Sequence, residues 1–84
     1  MNRFHRITEK LTAALQPTVL ELRDVSHTHA GHVHAGTETH FTLTIASASF
    51  AGLTRVQQHQ LVNNVLADEF DSGLHALSIK AIKS

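Results

Sequence analysis

The chain has 84 residues, enough for one hydrophobic core and far below the ~250 residues at which chains divide, so residues 1–84 are expected to form a single domain. Seven Lys and Arg stand against seven Asp and Glu, a formal net charge of 0, which leaves no basic surplus for nucleic acid or an anionic membrane. The absence of Cys excludes a disulfide framework, a thiol nucleophile and a thiolate metal site made by this chain alone, whereas eight His supply many candidate metal ligands.

Phe4, Ile7, Leu11, Ala14 and Leu15 recur at helical spacing and stop at Gln16-Pro17, where proline cannot continue a helix. Leu20 and Leu22 alternate with Glu21 and Arg23 in a strand from Val19 to Val25. Phe41, Leu43 and Ile45 alternate with Thr42, Thr44 and Ala46 in a second, from His40 to Ser47. Between them SHTHAGHVHAGTE carries four His and two Gly without apolar periodicity and reads as a long, mobile hairpin loop.

Thr54-Arg55-Val56-Gln57 fits a capping box, so a second helix starts there and keeps Val62, Val65, Leu66 and Phe70 on its apolar face. Gly73 is a natural left-handed stop, with a break near Asp68 that would make a short third helix. His75 to Ile79 alternates as a last strand, with His75 on the side of Leu77 and Ile79. The expected fold is α+β, in the order α-β-β-α-(α)-β. The opening MNRFHRITEK lacks the ~7–15 apolar residues of a signal peptide, and no run reaches the ~18 of a membrane span, so the expected setting is cytoplasmic and away from membranes.

Several ordered motifs across nearly the whole chain closely resemble the BolA family: Leu20-Glu21-Leu22-Arg23-Asp24, His29-Ala30-Gly31-His32, Glu38-Thr39-His40-Phe41, Phe50-Ala51-Gly52, Gln58-His59-Gln60-Leu61-Val62, Leu66-Ala67-Asp68-Glu69 and Leu74-His75-Ala76-Leu77-Ser78-Ile79. The resemblance implies a class II KH-like fold, a three-stranded sheet packed on helices. It also implies a partner of monothiol glutaredoxins that holds or passes on a [2Fe–2S] cluster and, for some members, a DNA-binding transcription regulator.

A [2Fe–2S] centre takes four ligands, usually thiolates, and imidazoles can replace two of them on one iron. By resemblance, the thiolates come from the glutaredoxin cysteine and its bound glutathione. This chain then supplies the His that opens the last strand, His75, and one residue of the first hairpin loop. His29 best matches that loop position, since it follows Asp24-Val25-Ser26 at the family's interval, and His32 is the alternate.

Each His also has a plainer reading. His75 can plug the sheet end with a satisfied imidazole. The pattern His27-x-His29-x-x-His32-x-His34 can be a solvated loop that picks up zinc or nickel adventitiously. His40 begins a strand and fits a structural role, with Nδ1 bonded to nearby backbone. His59 lies at the edge of the apolar stripe, and His5 is an exposed helix residue.

For DNA, the resemblance points to the helix around Val56 to Leu61, where Arg55 and His59 are the candidate contacts. The family often has Arg on both sides of this His, and here Gln58 and Gln60 stand there, so only weak, non-specific binding is expected. No GxxG loop for clamping an RNA backbone is present. Asp24, Glu38 and His40 could be imagined as an acid–base set, but no nucleophile motif, phosphate loop or carboxylate pair accompanies them, and the expectation is not an enzyme. The sequence leaves homodimerisation open.

Overall fold

Residues 2–25 and 39–82 are described by the computed structural model of the chain. Helix α1 spans Arg3–Leu15; the Asn2 side chain caps it by accepting from the His5 N–H at 2.9 Å. Ile7, Leu11 and Leu15, one turn apart, are its buried stripe. It ends as expected before Pro17: Gln16 turns left-handed (φ 45°) and its N–H bonds the Thr12 carbonyl at 3.1 Å.

Strand β1 (Val19–Asp24) pairs antiparallel with β2 (His40–Ala46), with Leu22 opposite Leu43. The alternation read from the sequence holds from Phe41 to Ile45, with Phe41, Leu43 and Ile45 buried, Thr42 exposed and Thr44 half-buried, and it ends at Ala46, which is buried as well. Strand β3 (Ala76–Ile82) lies on the other side of β2 and parallel to it, with Ile79 opposite Leu43, so the sheet order is β1-β2-β3. A parallel pair cannot be closed by a tight turn. The crossover consists of a 3-10 turn (Ala48–Phe50), α2 (Arg55–Val65) and α3 (Ala67–Asp71).

Local chemistry fixes the crossover's corners. Buried Ser47 donates to the Leu15 carbonyl at 2.6 Å, tying the end of α1 to the end of β2, and accepts from the Ser49 N–H at 3.1 Å. The Thr54–Gln57 capping box is complete in both directions. The helix break expected near Asp68 falls at Leu66, and the short third helix follows it. The buried Leu66 side chain pins the chain to the core there, and its carbonyl accepts from both Glu69 and Phe70 to start α3. Ile7, Leu11, Phe41, Leu43, Ile45, Val62 and Leu66 form the centre of one hydrophobic cluster between the helices and one sheet face. Each such residue contributes roughly 1.5–3 kcal/mol of burial.

Candidate metal and partner site

His75 sits where the crossover returns to the sheet. Strand β3 begins one residue later than expected, at Ala76. The reason is that the His75 and Ala76 N–H groups both donate to the Thr39 carbonyl, at 2.8 and 3.1 Å, so His75 is held by a shared acceptor just outside the ladder. Its side chain is exposed and does not plug the sheet end. The rings of His75 and half-buried His40 meet edge-to-face, with centroids 5.8 Å apart. Nδ1 of His40 lies 2.9 Å from Oγ1 of Thr39, a side-chain hydroxyl partner.

His27, His29, His32 and His34 lie outside the described residues. Their flanks do not: the Val25 N–H donates to the His40 carbonyl at 2.8 Å, and Thr39 holds His75. Both ends of residues 26–38 therefore stand at the His75 end of the sheet. Among the described residues no group of three or more His, Cys, Asp or Glu could hold a metal ion. The described part of the site offers imidazole nitrogens and no sulfur.

Arg55 and His59 come together on α2, one turn apart, and face the middle of β3. With Ile79, Lys80 and Ala81 they line a shallow groove of about 280 Å³. Lys80 also lines this groove, a neighbour that reading along the chain did not associate with Arg55 and His59, because only the packing of α2 on β3 brings them together. Gln58 turns away from this groove, its amide donating to the Leu53 carbonyl at 3.2 Å. A larger pocket of about 520 Å³, floored by Phe50, Leu53 and Ile82, lies at the opposite end of the sheet from His75.

The sequence reading also missed Glu69. This carboxylate is 2% exposed and gathers three cations from α1: Arg3 at 3.1 Å, Arg6 at 3.1 Å and Lys10 at 2.6 Å. The Arg6 hydrogen bond, helped by those of Lys10 and Arg3, holds its carboxyl down to about 2 against the opposing effect of burial. Arg3 also donates to the Ser72 carbonyl at 2.8 Å. Its guanidinium lies across Gly73 (φ +125°), 3.3 Å from where a Cβ would stand. The cations repeat along α1 at helical spacing, a signal visible in the sequence, but their partner in α3 is not.

A family model described as BolA-like protein matches residues 11–84. The chain belongs to the BolA-like family. It is 46% identical over 82 residues to Protein BOLA1, chloroplastic, of Arabidopsis thaliana, an alignment covering 93% of this chain and 51% of that protein. It is 51% identical over 82 residues to SufE-like protein 1, chloroplastic/mitochondrial, of the same plant, covering 90% of this chain and 22% of that protein. The solved BolA domain of SufE1 from Arabidopsis thaliana superposes with a TM-score of 0.90 at 49% identity, covering 99% of this chain and 93% of that one. This BolA-like chain thus spans about half the length of the first of these relatives and less of the second. Their names carry organellar addresses, so the cytoplasmic expectation gains nothing from them. Among the described residues of the chain, no helix is long and apolar enough to cross a membrane.

Proposed function

We propose that this BolA-like domain is a non-enzymatic partner of a monothiol glutaredoxin and shares a [2Fe–2S] cluster with it, in iron–sulfur cluster trafficking or iron signalling. The observation that carries the reading is His75, an exposed imidazole fixed by its backbone at the sheet end where residues 26–38 leave and return. The donor chemistry fits. Two imidazoles can occupy one iron of a [2Fe–2S] centre, and His75 with His29, or with His32 as the alternate, would provide them. A chain without Cys has no thiolate to give the other iron, and the family resemblance assigns those ligands to the glutaredoxin cysteine and its glutathione. Held there, the cluster would supply transferable iron and sulfide and one-electron redox chemistry.

The chain's own part is to present nitrogen donors to a partner surface. The acid–base set imagined from Asp24, Glu38 and His40 gains no support, since Nδ1 of His40 is engaged by Thr39 and Glu38 lies outside the described residues. DNA binding is the second reading, and the observation in its favour is Lys80 beside Arg55 and His59 in one groove.

Reconstitution tests the proposal. The isolated protein is expected to lose its cluster on desalting, and to keep it when a monothiol glutaredoxin and glutathione are present. Stoichiometric [2Fe–2S] on the isolated protein without added thiol would overturn the shared-site reading.

A further inference from the structure

We propose that His40 is the positioning residue of His75, holding that imidazole in the orientation from which it ligates; the inference rests on the role just given to His75. Three contacts converge on one point. The Thr39 carbonyl accepts from the His75 N–H at 2.8 Å and fixes where the side chain departs. The His40 ring meets the His75 ring edge-to-face at an interplanar angle of 81°, which limits how the exposed ring can turn. The Thr39 hydroxyl, 2.9 Å from Nδ1 of His40, in turn sets the rotation of the His40 ring.

The arrangement answers a physical difficulty of the site. An exposed histidine at the head of a strand samples several rotamers, and each one not compatible with ligation lowers the effective affinity. Ligating imidazoles are ordinarily oriented by a second residue through hydrogen bonding. Here no described carboxylate performs that task, and a half-buried ring on the neighbouring strand does so by packing. His40 begins β2, and its pairing with Ala76 places it beside His75 whatever the rest of the crossover does. The next residue, Phe41, is buried on the opposite face of β2, so the strand that carries His40 is anchored in the core.

The test compares His40→Ala, His40→Phe and Thr39→Val, with two readouts. The first is the His75 χ1 population in the cluster-free protein, from three-bond side-chain couplings measured by NMR. One rotamer should dominate in the unchanged protein and in His40→Phe, and should give way to averaging in His40→Ala; Thr39→Val should fall between. The second is the glutaredoxin concentration needed for half the visible circular dichroism signal in the presence of glutathione. It should rise about 10-fold in His40→Ala, the lower end of the usual cost of removing an orienting residue. The ring-preserving His40→Phe should restore most of the loss. An unchanged His75 rotamer in His40→Ala overturns the proposal, as does loss of signal in His40→Phe with that rotamer intact, which would make His40 a ligand itself. Failure of the underlying reading is distinguishable, because then His75→Ala leaves the spectrum unchanged.

Discussion

Arg3 and Glu69 are joined at 3.1 Å across most of the chain's length, and the same guanidinium reaches the Ser72 carbonyl at 2.8 Å. The first turn of α1 thereby grips the segment that leads through Gly73 and Leu74 to His75. Arg3 and Arg6 stand at the positive end of the α1 dipole, an unfavourable place for cations. Glu69 offsets that cost, and its removal would leave three cations clustered around a nearly dry site.

Glu69→Gln is expected to lower stability by about 2–3 kcal/mol near pH 7, less than the full linkage value because Arg6 and Lys10 are partly open to water. The sign for pH follows from the lowered carboxyl. In the folded chain Glu69 titrates at about 2 rather than 4.5, so its contribution is complete above pH 4.5 and is lost as pH falls from there toward 2. Urea midpoints measured across that range should converge for Glu69→Gln and the unchanged protein at the acid end. A constant difference at all pH values would show that Glu69 acts by packing alone.

Gly73→Ala should destabilise the turn before His75 by about 1–3 kcal/mol, the usual cost of forcing a side chain into a conformation that only glycine adopts freely. A Cβ there would also press on Arg3 at 3.3 Å. Thermal unfolding gives the magnitude, and amide exchange at His75 and Ala76 gives the location; unaltered exchange at both would contradict the coupling of this turn to His75.

DNA binding is expected to be weak and largely non-specific, in the range of ~10⁻⁴–10⁻⁶ M at physiological salt. With Arg55 and Lys80 as the groove's permanent cations, the log affinity should fall with log salt at a slope of about −2, and Lys80→Ala should reduce that slope by about one. A footprint at one promoter with ~10⁻⁸ M affinity in the same salt would promote the DNA reading over the cluster reading.

The loop ligand should be more replaceable than His75. Four His within eight positions of one segment allow one imidazole to substitute for another. His29→Ala is therefore expected to weaken or shift the cluster spectrum, with His32 compensating in part, and the double His29/His32 change should do more than either alone. An unchanged spectrum for the double variant would move the second ligand to His27, His34 or His40.

Which features could be read along the chain depends on how far apart their partners are. The stop at Gln16-Pro17, the Thr54–Gln57 box and the alternation of Phe41, Leu43 and Ile45 are set by neighbours within a few residues, and each stands where the sequence places it. The break near Asp68 is legible only approximately, because the packing of Leu66 into the core decides the residue at which the helix bends. The parallel pairing of β2 with β3, and with it the meeting of His40 with His75, has no local signature, and neither has the packing of α2 on β3 that sets Arg55 and Lys80 along one groove. Glu69 stands within a family motif, but its partners Arg3, Arg6 and Lys10 lie on α1 and nothing beside it in the chain announces them. The family resemblance singled out His75, but its exposure and its grip on Thr39 required three dimensions.

The most direct measurement of the central claim is the visible circular dichroism of the complex reconstituted from His75→Ala, a monothiol glutaredoxin and glutathione, alongside the unchanged protein. If His75 is the ligand from β3's head, the spectrum of the mixed complex disappears while the far-ultraviolet spectrum and unfolding midpoint of the variant alone stay as they were. A mixed-complex spectrum identical to that of the unchanged protein would contradict the assignment of the cluster to this site.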